Sequence, residues 1–294
     1  MKRKKMSYGA INITTHPHSP RTYVDLFEAA YSMKKPIKVY GDTHILMTSC
    51  APEKLGKEKF LLGEIYKFTQ IDMDSNWFNL DTNTYASDDE VGQVKIPDNL
   101  FPNSQKFTFV FYPEQHLIFY ESYVSGHRLA PSLAVNFFKY LFASEKLVEK
   151  FGDVDVVHVP SADVYNEMMR LPIKTVIEMD IRKPNPDTFA KTANKVKQRM
   201  QNINAASMQQ TYKAEKGESL EVDEEITLFS RLAAKTGELF IKGRDALNKV
   251  VTYSTKKHPM IIDSTYDVDH SNSSRTLVEK SIQTKESIAQ TFDN

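Results

Sequence analysis

The chain has 294 residues, 40% of them apolar, 26% charged and 11% aromatic, which suffices for a hydrophobic core and is unlike a disordered or fibrous composition. Lysine plus arginine equals aspartate plus glutamate at 38 each, so no whole-molecule field draws the protein to polyanions, and any nucleic-acid surface has to be local. The single cysteine, Cys50, excludes an intramolecular disulfide and a cysteine-built zinc cluster; with no apolar run of about eighteen residues, the expectation is a cytoplasmic protein that does not span a membrane.

The basic start Met1-Lys-Arg-Lys-Lys is followed by an alternating segment, residues 7–16, rather than by the apolar region of a signal peptide. That segment reads as a strand. Ser19-Pro-Arg-Thr22 then caps a helix from Tyr23 to Lys35, and Pro36 ends it. Ile37–Tyr40 and His44–Thr48 read as two short strands around a Gly41-Asp42 turn, and Leu61–Ile71 as a further strand. Residues 72–105 are polar and hold Pro97 and Pro102, so they are expected to be mostly loop.

The clearest hairpin pairs Phe107–Tyr112 with Leu117–Tyr123, and its apolar density predicts burial on both faces. Pro131 opens a helix expected to run to Phe151, stopped by Gly152. Strands follow at 154–159 and 174–182, with a helix at 162–170 between them. Pro184 and Pro186 precede a long helix, Asp187 to about Ala205, whose apolar stripe is Phe189, Ala193, Val196, Met200 and Ile203. Strands at 207–216, 238–244 and 249–254 surround a helix from Val222 to Lys235. The fold class is therefore α+β: a mixed, mainly antiparallel sheet with flanking helices (1–205) and a smaller C-terminal α+β subdomain (206–270). Residues 271–294 are rich in Ser, Thr, Asn, Lys and Gln and are expected to form a disordered or partner-ordered tail.

One basic cluster stands out. Lys191, Lys195 and Arg199 recur every four residues opposite the apolar stripe of the long helix, with Lys197 nearby and Arg182-Lys183 just before it. Such a ridge suits phosphate neutralisation, although most charge stripes are ordinary solvated helix faces. Arg21, Lys213, Lys216, Lys242, Arg244 and Lys249 are candidates to extend the surface. Asp72-Met-Asp74 is a weak candidate for holding a divalent cation, against the simpler reading of a turn that caps its own backbone. His16, His18, His44 and His116 carry no recognised metal or catalytic spacing, and no phosphate-binding loop, nucleophile elbow or dinucleotide turn is present. Cys50 reads as a small core residue, and Trp77 and the hairpin aromatics as core rather than base-stacking platforms.

Several collinear blocks resemble a bacterial domain-of-unknown-function family, number 4747. They are Gly9-Ala-Ile-Asn-Ile13, His16-Pro-His-Ser-Pro20, Val39-Tyr-Gly-Asp42, Ile71-Asp-Met-Asp-Ser-Asn-Trp-Phe78, Ile96-Pro-Asp-Asn-Leu100, Gly152-Asp-Val-Asp155, Arg182-Lys-Pro-Asn-Pro-Asp187 and Ala214-Glu-Lys-Gly-Glu-Ser-Leu220. The resemblance runs from residue 1 to about 260 and implies no activity. In strand order and its proline-bounded long helix the chain is also similar, without a sharp motif, to the phage exclusion protein RexA, which implies DNA binding in a phage-defence setting.

The resulting expectation is a nucleic-acid-binding protein, DNA before RNA, of a phage-defence or similar system. It would engage phosphates through Arg182, Lys183, Lys191, Lys195, Lys197 and Arg199, with no cofactor and with a homodimer or a partner protein as company. An assembly module for a neighbouring defence protein is the alternative. A metal-dependent nuclease using Asp72 and Asp74 ranks behind both, because no acid–base constellation accompanies them.

Overall fold

The computed structural model describes residues 2–16, 19–184 and 192–292. Its first strand, β1 (Arg3–Thr15), is longer than the alternation predicts because the basic start joins it. Ser19 accepts a hydrogen bond from the Thr22 amide and caps α1 (Pro20–Ser32). Gly41, at φ +47°, makes the turn between β2 (Ile37–Tyr40) and β3 (Thr43–Leu55). β3 pairs along its length with β4 (Glu58–Thr69), so β3 extends well past the predicted His44–Thr48, while β4 starts three residues before the predicted Leu61–Ile71 and ends two residues before its end. The polar stretch that follows is mostly irregular, as expected. It holds a two-residue ladder of β5 (Phe78–Asn79) with β6 (Thr84–Tyr85) and a one-turn helix, α2 (Asp88–Val91), closed by a Ser87–Glu90 capping box.

The predicted hairpin is β7 (Gln105–Tyr112) with β8 (Leu117–Val124), followed by β9 (His127–Arg128). The helix expected over 131–151 is two helices, α3 (Pro131–Phe142) and α4 (Glu145–Phe151). They break at Ser144, whose extended backbone starts the second helix while its hydroxyl donates to the Leu141 carbonyl. Next come β10 (Val154–His158), α5 (Ala162–Arg170), β11 (Ile173–Arg182), α6 (Thr192–Asn202), β12 (Ser207–Lys213), α7 (Glu224–Thr236), β13 (Glu238–Arg244) and β14 (Val250–Ser254). The chain closes with β15 (Ile261–Asp267), where the sequence had predicted no element, and α8 (Ser273–Phe292).

The fold is α+β, and every strand pairing among the described residues is antiparallel. A nine-stranded sheet runs β10-β1-β8-β7-β4-β3-β2, with β15 beside β10 on the outer edge of β1 and β9 on β8. Period-two alternation sorts its side chains. Phe107, Phe109, Phe111, Ile118 and Tyr120 pack under α1, α3 and α4, while Val110, Tyr112, Phe119, Tyr8 and Ala10 point the other way into a second core. That second core is shared with α5, α6, α7, α8 and a four-stranded sheet, β12-β11-β13-β14. The hairpin is thus buried on both faces, and at about 1.5–3 kcal/mol for each large apolar side chain it anchors both cores.

Two boundaries predicted from the sequence differ. β11, assigned to the larger unit, is hydrogen-bonded between β12 and β13, so a division at 205/206 cuts through a sheet. Residues 271–294, expected to be a disordered tail, hold the 20-residue helix α8, with Leu277, Val278, Ile288 and Phe292 buried. Its stripe is half polar. Tyr8 and Tyr112 bond Thr284 and Ser281, and Glu58 pairs with Lys285, so hydroxyls and a paired ammonium fill positions that a hydrophobic pattern would leave blank.

Candidate nucleic-acid interface

α6 follows β11 and returns the chain to β12 on its outer side. Val196 and Met200, one turn apart, are buried in the inner core and fix which way the helix faces. Its C-terminus closes with Asn204 at φ +55°, the Asn204 amide bonding the Gln201 carbonyl and the Ala205 amide the Met200 carbonyl. Ile203, predicted on the apolar stripe, lies at this closure and is 66% exposed.

The solvent side of α6 presents Lys195, Gln198, Arg199 and Asn202, all exposed, at the i, i+3, i+4, i+7 spacing of one face. No aspartate or glutamate occurs anywhere in Thr192–Asn202. Lys195 and Arg199 therefore stand where the sequence placed them. Gln198 and Asn202 join them as amide donors that charge patterning does not register.

The remaining members of the predicted ridge separate from that face. Lys197 is half-buried, and Lys191 lies outside the described residues. Arg182 Nε is 3.8 Å from an Asp180 carboxylate oxygen. Lys183 lines a cleft of about 470 Å³ with His16, Asp153, Asp155, Gln201 and Asn204, and His16 Nε2 donates to the Lys183 carbonyl at 3.3 Å. Burial pushes the Asp155 carboxyl up, the Arg182 guanidinium opposes this, and Asp153 and Asp180 reinforce it. Arg182 and Lys183 thus lie among carboxylates that offset their charge.

Of the cations considered as extensions, Lys213 and Lys242 converge: both are exposed and flank Val176 on neighbouring strands, on the solvent face of the four-stranded sheet. Arg21 pairs with Asp25 at 2.8 Å on α1, and Arg244 donates to the Asn248 carbonyl. Asp72 accepts from the Asp74 amide at 3.0 Å, a turn capping its own backbone, with both side chains exposed. Among the described residues no three His, Cys, Asp or Glu side chains cluster as a metal site. His44 stacks on Phe68, His116 packs against Tyr23, and His18 lies outside the described residues. Burial pushes the Cys50 thiol up to about 12, leaving it a protonated, half-buried side chain.

The family model described as a domain of unknown function, DUF4747, matches residues 4–282, nearly the whole chain and all but the last turns of α8. The chain belongs to the DUF4747 family. No curated protein matches it. The DUF4747 match takes in both sheets and α6, so the surface described above lies within the family's own fold. No helix among the described residues is long and apolar enough to cross a membrane.

Proposed function

We propose that the protein binds nucleic acid, DNA in the first instance, by laying the outer face of α6 along a phosphate backbone, in a phage-defence or similar setting. The observation that carries this reading is the composition of that face: two cations and two amides in helical register, with no carboxylate on the helix. Cations neutralise phosphates and release counterions, and amides donate to phosphate and sugar oxygens without needing a particular base. The weaker likeness to RexA points the same way.

The interface is centred on Lys195, Gln198, Arg199 and Asn202; Lys213 and Lys242, on the solvent face of the four-stranded sheet, form a separate basic point. Arg182 and Lys183 contribute less, because nearby carboxylates already offset them. The test is charge reversal, Lys195→Glu with Arg199→Glu, read by fluorescence anisotropy with a labelled duplex and a labelled single strand. Loss of binding in the reversed chain, with an unchanged circular dichroism spectrum, supports the reading; undiminished binding removes α6 from the interface.

A further inference from the structure

β12 is the outermost strand of the four-stranded sheet, and among the described residues no strand pairs with its free edge. Free edges in stable proteins are generally blunted by inward lysines, proline, a bulge or a covering element, because unpaired backbone groups otherwise recruit another strand. β12 carries none of the sequence devices. It pairs with β11 over seven residues without a register shift, contains no proline, and bears its one charge, Lys213, at the last position. Ser207, Gln209, Thr211 and Lys213 are exposed, while Met208, Gln210 and Tyr212 are half-buried. The side-chain carbonyl oxygen of Gln210 is buried without a hydrogen-bond partner.

We propose that β12 pairs antiparallel with β12 of a second copy of this chain, about a two-fold axis through Gln210, joining the two four-stranded sheets into one. In that register Gln210 meets Gln210, Gln209 meets Thr211, Met208 meets Tyr212 and Ser207 meets Lys213. No like charges oppose each other, the two Gln210 side chains stand side by side across the axis, and a thioether packs beside an aromatic ring. The other free edge, β14, is only five residues long and runs at Ser254 straight into the 3-10 turn Thr255–Lys257, so it offers a shorter ladder than β12. An unrelated peptide strand would fill the backbone bonds of β12 but gains nothing from this two-fold pattern. The dimer stands independently of nucleic-acid binding by α6.

The full chain in the micromolar range, run on size exclusion with light scattering, is expected to have the mass of two copies. Gln210→Lys puts two ammonium groups on the axis and is expected to give a monomer with an unchanged circular dichroism spectrum and a melting temperature that no longer depends on protein concentration. In a Cys50→Ser background, Gln210→Cys is expected to form a disulfide-linked dimer under mild oxidation, while Lys57→Cys on the exposed β3–β4 turn does not. A monomeric parent chain overturns the proposal. So does a dimer that survives Gln210→Lys and is not trapped by Gln210→Cys; if Gln210→Lys fails to fold, the cysteine pair decides alone.

Discussion

Tyr112 on β7 and Ser281 on α8, 169 residues apart in the chain, share a 2.8 Å hydrogen bond with both side chains buried. Ser281 passes its own proton to the Val278 carbonyl, so the tyrosine donates. The Lys285 ammonium sits 4.8 Å from the Tyr112 ring centre and pairs with Glu58. The last helix is therefore part of the inner core. Tyr112→Phe is expected to cost about 1 kcal/mol of unfolding free energy in urea. Leu277→Ala, at a fully buried position, is expected to cost roughly 2–5 kcal/mol. A chain ending at residue 272 should expose Tyr8, Tyr112 and Phe119 and lose its cooperative transition; an unchanged transition would show that α8 is dispensable.

A half-buried histidine, His158, and a buried glutamate, Glu121, bend the pH profile in opposite senses. Burial lowers His158 from its ordinary 6.5 to about 4, so the folded chain holds it neutral. The unfolded state then binds more protons between these values, and this stability is complete above pH 6.5 and lost as pH falls towards 4. Glu121 is shifted up by burial, against hydrogen bonds from Ser273 and Thr108, so its folded state favours the proton and stability rises as pH drops through the window just above the usual carboxylate value. Thermal melts from pH 7.5 to 4.5 are expected to show a steeper acid loss in Glu121→Gln and a shallower one in His158→Gln. Identical profiles in all three chains would contradict both assignments.

Gly63 on β4 lies under the ring of Phe109, where an added Cβ would stand 2.2 Å from Phe109 Cζ and 2.6 Å from the Ser49 carbonyl oxygen. Neither neighbour yields easily, because Phe109 is fully buried and Ser49 is held in the β3–β4 ladder. Gly63→Ala is expected to destabilise by about 1–3 kcal/mol in chemical denaturation. Gly56→Ala at the exposed β3–β4 turn, where an added Cβ meets nothing within 4 Å, isolates the cost of its positive φ alone.

Elements whose faces are apolar were legible from the sequence. Phe107–Tyr112, Leu117–Tyr123, residues 162–170 and residues 238–244 announced themselves by alternation or helical spacing, and they form β7, β8, α5 and β13. What escaped prediction is polar burial. β15 reads Ile-Ile-Asp-Ser-Thr-Tyr-Asp, a mixed run that pairs with β1 and ties Asp263 to Ser7, and α8 buries Ser281, Thr284 and Lys285 against partners distant in the chain. Within the candidate surface, Lys195 and Arg199 were legible because charge at four-residue spacing survives into the helix. The separation of Arg182 and Lys183 was not, since the carboxylates beside them come from β10 and from β11 itself, and the β10 residues lie nearly thirty positions earlier in the chain.

The most direct test of the central claim is the salt dependence of duplex binding by the intact chain, measured beside the Lys195→Glu, Arg199→Glu form between about 50 and 200 mM salt. The account predicts affinity that falls steeply with salt in the parent, with a log–log slope shallower by about 2 in the reversed chain, one unit for each lost phosphate contact. No binding at the lower salt, or the same slope in both chains, would contradict it.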